Sequence, residues 1–128
     1  HENKTLMKET EEITKNNSNL NLVFAFNYGS HNEIHSAVMD LHNNNLEKVL
    51  SLEEIADSFY SCFQYPDIPY PDLLLRTAGE KRISNFLLYQ LAYTELIFID
   101  TLWPDVNQDI LDNVLLEFKS RNRTYGKN

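Results

Sequence analysis

Leu20 to Phe26, Leu73 to Leu75 and Leu96 to Ile99 are almost continuously apolar. Runs of that kind suit strands covered on both faces in a parallel sheet better than alternating edge strands. Between them the apolar residues recur at helical spacing. Leu6, Met7 and Ile13 among charges predict a surface helix from Glu2 to about Lys15, closed by the polar run Asn16 to Asn19. Asn27-Tyr28-Gly29 then reads as the exit loop of the first strand. Ser30 with Glu33 has capping-box form ahead of Ile34, Ala37, Val38 and Leu41, predicting a helix from Ser30 to about Asn43. Ser51 with Glu54 repeats the signature before an apolar face of Leu52, Ile55, Ala56, Phe59 and Phe63. Pro66, Pro69 and Pro71 remove donors and predict an irregular approach to the strand at Leu73. Ser84 is placed to cap a helix reaching about Tyr93. The Leu96 to Ile99 strand ends at Asp100 and a Trp103-Pro104 turn, and Asn107 to Arg123 forms the last helix. Strands alternating with helices predict an α/β layer fold, a mostly parallel sheet flanked by helices, as one domain over 1–128.

Composition narrows the function classes. A formal net charge of -8 and a pI near 4.8 argue against general nucleic-acid binding, which depends on Lys and Arg neutralising phosphates. The single cysteine, Cys62, excludes an internal disulfide and reads as a core thiol in a reducing compartment. No run approaches the roughly 18 to 20 apolar residues of a membrane span, and the polar first residues do not resemble a secretory signal, so a soluble chain is expected.

Against that acidic background, one cluster of cations stands out. The strand at Leu73 runs into a short polar loop carrying Arg76, Lys81 and Arg82, and then into the Ser84 cap. A parallel strand delivers its loop to the carboxyl edge of the sheet, where ligands of such folds bind and the next helix presents unpaired N–H groups. Arg76 and Arg82 together suit an anion held by charge-assisted, bidentate bonds. By chemistry alone the ligand is a phosphate or carboxylate, and two solvated loop arginines remain the alternative. His31 and His35 lie one helical turn apart, but Glu33 points to the far side of the helix and no third ligand is evident, so a zinc site is not expected.

The order of residues goes further. Arg76-Thr77-Ala78-Gly79-Glu80, Arg82-Ile83-Ser84-Asn85-Phe86-Leu87-Leu88, Gln90-Leu91-Ala92-Tyr93 with Glu95, and Leu102-Trp103-Pro104-Asp105 together resemble the cis-prenyltransferase family, in the spacing of undecaprenyl diphosphate synthases. Asn27-Tyr28-Gly29 fits as well, and the likeness runs from about Leu6 to Gly126, covering the family's C-terminal half. The resemblance implies condensation of isopentenyl diphosphate onto an allylic diphosphate such as farnesyl diphosphate. It implies that Arg76, Arg82 and Ser84 hold isopentenyl diphosphate, with Ile83 as a backbone neighbour, and that Glu95 helps bind Mg2+, which prefers oxygen ligands and phosphate oxygens.

The family's Asp-Gly-Asn-Gly-Arg-like loop, with its catalytic aspartate, has no counterpart in these residues. The expectation is therefore a partial domain, inactive alone, which works with the missing N-terminal half or as a homodimer. It is expected in the cytoplasm, with peripheral membrane association for release of a lipid product. A noncatalytic partner subunit of a complete prenyltransferase is the alternative. Ser30 and His31 stand where the family commonly has glycine and arginine, leaving His31 a weaker, pH-dependent anion contact. Thr124 stands where the family has a tail arginine; the arginines here are read as capping the last helix through its dipole, with substitution by Arg123 through a shift of one residue as the alternative. Trp103, Phe86, Leu87, Leu88 and Tyr89 are read as core. Apolar parallel strands rarely survive uncovered, so the isolated chain is expected to be marginally stable and to self-associate.

Overall fold

The computed structural model describes residues 2–44 and 49–121. The elements in chain order are α1 (Glu2–Thr14), α2 (Ser30–Asn44), α3 (Leu52–Ser61), β1 (Leu73–Arg76), β2 (Glu95–Phe98), a 3-10 turn at Trp103–Asp105, and α4 (Gln108–Ser120). The fold is α/β: β1 and β2 pair in parallel, with Leu73 opposite Glu95 and Arg76 opposite Phe98. Among the described residues no helix is long and apolar enough to cross a membrane.

Helix starts follow the sequence signals at α3 and α4. Ser51 accepts from the Glu54 amide while the Glu54 carboxylate accepts from the Ser51 amide, closing a full capping box. The Asn107 side chain accepts from the Ile110 amide at 3.1 Å. The buried apolar residues are Ala37 of α2, Phe63 just past α3, Leu91, Ile97 of β2 and Val114 of α4. An edge-to-face aromatic cluster extends this core, with Phe63 at 5.1 Å from both Phe59 and Tyr89, and Tyr60 at 4.8 Å from Tyr70.

Four expectations are corrected. Residues 20–26 form no strand; Leu20 and Phe26 are 77% and 72% exposed, because an apolar run becomes a strand only beside a chain that completes its ladder. Residues 84–93 form consecutive turns instead of a Ser84-capped helix, since Ser84, Asn85 and Leu87 have φ of 47°, 62° and 47°. Left-handed residues end a right-handed helix where they occur. Trp103 is 72% exposed, on a turn past the end of the sheet. Cys62 is half-buried at the end of α3, its thiol donating to the Ser58 carbonyl at 3.2 Å.

Candidate functional site

β1 ends on Arg76 at the carboxyl edge of the sheet, and the loop that follows is stitched to the chain leaving β2. The Ile99 amide donates to the Arg76 carbonyl, the Gly79 amide to the Ile99 carbonyl and the Ala78 amide to the Thr101 carbonyl, each at 2.9 Å. Ala78 and Gly79 take φ of 66° and 69°. A Cβ on Gly79 would sit 3.2 Å from Asp100 Oδ1, so both the turn and the closeness of Asp100 favour glycine there.

Within this loop Arg76 Nη1 donates to the Arg82 carbonyl and, at 3.1 Å, to Ser84 Oγ. One guanidinium nitrogen thus holds the loop's far end, while Nε and Nη2 keep further donors of the five that arginine carries. The Arg82 guanidinium pairs with Glu80 on the surface, and Lys81 is exposed. Ile83 is half-buried, its carbonyl accepting from the Phe86 amide at 3.0 Å. The structure therefore brings together Arg76, Ser84 and the backbone of Arg82, with the Arg82 side chain turned to an acid of the same loop.

Behind the loop stands the N-terminus of α2. The Ser30 amide donates to the Asn85 carbonyl at 2.8 Å and the His31 amide to Asn85 Oδ1 at 2.9 Å, so one residue from a distant turn satisfies two of the helix's unpaired donors. The fully buried Ser30 returns a contact, its Oγ accepting from the Leu88 amide at 2.9 Å. Ser30 and Glu33 thus form no capping box. Glu33 instead accepts from the Tyr28 hydroxyl, from Gln90 Nε2 at 3.0 Å and from the Gln64 amide at 3.3 Å. Gln90 Oε1, buried beside this hub, has no hydrogen-bond partner among the described residues. Burial raises the Tyr28 pKa above the ordinary tyrosine value, and its bond to Glu33 raises it further; for Tyr60 burial is again the larger cause, ahead of the Glu33 charge. His31 and His35 are exposed on α2.

Glu95 lies elsewhere. It opens β2 opposite Leu73, three residues before the partner of Arg76, so roughly 10 Å of strand separates the two levels. Its carboxylate accepts from Arg121 Nη1 at 2.8 Å; Arg121 also donates to the Leu96 carbonyl at 3.1 Å and to Glu117 at 2.5 Å, clamping the end of α4 to β2. These bonds raise the Arg121 pKa further, the one to Glu95 foremost. The Glu95 carboxylate is thus paired with Arg121 and stands at the opposite end of the strands from Arg76. Among the described residues no group of three or more His, Cys, Asp or Glu could hold a metal ion. Arg123 and Thr124 lie outside the described residues.

The sequence reading assigned no role to Asn85 and gave Glu33 only a cap. The signal for Asn85 was its residue type, since asparagine tolerates left-handed φ and caps helix starts. Nothing local announced that the helix it caps lies more than fifty residues away.

The Prenyltransf family model, described as "Putative undecaprenyl diphosphate synthase", matches residues 1–126. Isoprenyl transferase 2 of Bradyrhizobium diazoefficiens is 44% identical over 122 residues, which are 94% of this chain and 48% of that protein. Ditrans,polycis-undecaprenyl-diphosphate synthase ((2E,6E)-farnesyl-diphosphate specific) of Micrococcus luteus is 40% identical over 124 residues, 96% of this chain and 50% of that one. The crystal structure of lavandulyl diphosphate synthase from Lavandula x intermedia, in complex with dimethylallyl diphosphate, superposes with a TM-score of 0.88 at 28% identity, covering 97% of this chain and 54% of that chain. The chain spans about half the length of the curated relatives it matches.

Proposed function

The chain belongs to the undecaprenyl diphosphate synthase family of cis-prenyltransferases, and on that premise we propose that it carries the isopentenyl diphosphate site of a polyprenyl diphosphate synthase. In such a condensation the double bond of isopentenyl diphosphate attacks C1 of the allylic substrate, the allylic diphosphate leaves, and a proton is lost. The diphosphate of isopentenyl diphosphate itself is retained. Its site therefore has to hold and aim the substrate rather than stabilise a departing group.

The observation that carries this reading is the preset Arg76 guanidinium at the carboxyl edge of the parallel pair, locked on one side by the Arg82 carbonyl and Ser84 Oγ. Its remaining donors and the Ser84 hydroxyl suit phosphate oxygens. Arg82 joins them by exchanging Glu80 for the ligand, and Ile83 contributes through its backbone. The 128 residues act as part of a prenyltransferase domain, in a homodimer or with a further segment, in the cytoplasm and against the membrane that receives the product.

Steady-state kinetics of the natural protein with isopentenyl and farnesyl diphosphates test this. Arg76→Ala and Ser84→Ala should each raise KM for isopentenyl diphosphate, Arg76→Ala by at least about tenfold, the scale of a hydrogen bond to a charged group. KM for farnesyl diphosphate should stay unchanged. Unchanged KM for isopentenyl diphosphate in both variants overturns the assignment.

A further inference from the structure

We propose that Asn85 is a positioning residue for the diphosphate site, fixing Ser84 by binding the adjoining turn to the N-terminus of α2; this rests on the role of Arg76 and Ser84 argued above. Asn85 is gripped at both of its carbonyl oxygens, the backbone one by the Ser30 amide and Oδ1 by the His31 amide. The grip is mutual, since Ser30 Oγ accepts from the Leu88 amide. Tyr28 and Phe86 add an edge-to-face ring contact at 5.7 Å on the same seam.

The seam reaches the site through the backbone. Ser84, Asn85 and Leu87 all hold positive φ, a conformation that asparagine tolerates but that Ser84 and Leu87 keep only where surrounding contacts over-determine it. Released from α2, the turn relaxes toward right-handed φ and carries the Ser84 hydroxyl off Arg76 Nη1. The first two amides of α2, at the positive end of its dipole, meet the two Asn85 oxygens, which adds electrostatic preference to the grip. Gly29 supplies the room: a Cβ there would lie 2.9 Å from Asn85 Nδ2, too close for the amide to keep its place while Oδ1 stays on His31.

A double-mutant cycle in the natural protein separates positioning from bulk stability. Asn85→Gly keeps a residue at ease at φ 62° and deletes only the amide; Gly29→Ala leaves the amide but displaces it. Each should raise KM for isopentenyl diphosphate about three- to tenfold, the range of one hydrogen bond, with kcat and KM for farnesyl diphosphate unchanged. Adding Gly29→Ala to Asn85→Gly should add nothing, because among the described residues the added Cβ closely meets the deleted side chain alone. Additive effects, or an unchanged KM in Asn85→Gly while Arg76→Ala still raises it, overturn the proposal. An Arg76→Ala protein with unchanged KM overturns the site reading first, and this inference with it.

Discussion

At the scale of single residues, Tyr28 and Glu95 show what their neighbours do to them. Burial, and then the hydrogen bond to Glu33, favour the neutral Tyr28 phenol. The folded state therefore keeps this proton to higher pH than the unfolded chain. The stability it contributes is complete below about pH 10, the ordinary tyrosine range, and is lost as the pH rises through the folded value. Tyr28→Phe should accordingly flatten the alkaline fall of Tm measured against pH, and an unaltered alkaline limb would count against the coupling. Glu95 presents a choice between ion pair and ion. If its work is to hold Arg121, Glu95→Gln lowers Tm and makes it less sensitive to salt, while the magnesium dependence of turnover is unchanged. A lost magnesium response at undiminished Tm would instead assign the carboxylate to the metal.

At the scale of elements, the signals that could be read were those whose partners are near in sequence. The Ser51–Glu54 box lies within four residues and was legible; Ser51→Ala should cost about 1 kcal/mol of stability by urea unfolding, the usual worth of such a cap. The same pattern at Ser30 and Glu33 misled, because both side chains serve the turn and loop packed against α2. Residues 84–93 looked helical for a related reason: their apolar spacing is real, but left-handed φ at three positions is held by Ser30 and His31, contacts no local pattern encodes. The cation cluster was legible as composition. That Arg76 joins Ser84 while Arg82 turns to Glu80 depends on the path of the loop, which the residues alone left open.

At the scale of the whole molecule, apolar surface outweighs what two strands cover. Leu20, Leu22, Phe24 and Phe26 are each more than 65% exposed, and Leu116 of α4 is 64% exposed. Surface of this kind marks a place of association or aggregation. The 128-residue chain alone should sediment as concentration-dependent oligomers and bind a hydrophobic dye; Phe24→Lys with Phe26→Lys should reduce both, and a monomer at all concentrations would refute the expectation. The way the two strands are joined has another consequence. Because they are parallel, residues 77–94, with Ser84 and Asn85 among them, form the connection that must close before any ladder bond exists. Sheet and anion loop are then a single cooperative unit in time as well as in space. Amide protons of Ile97, Gly79 and Leu88 are released to solvent in the same opening events, and a ligand that tightens the loop slows hydrogen exchange in strands it never touches.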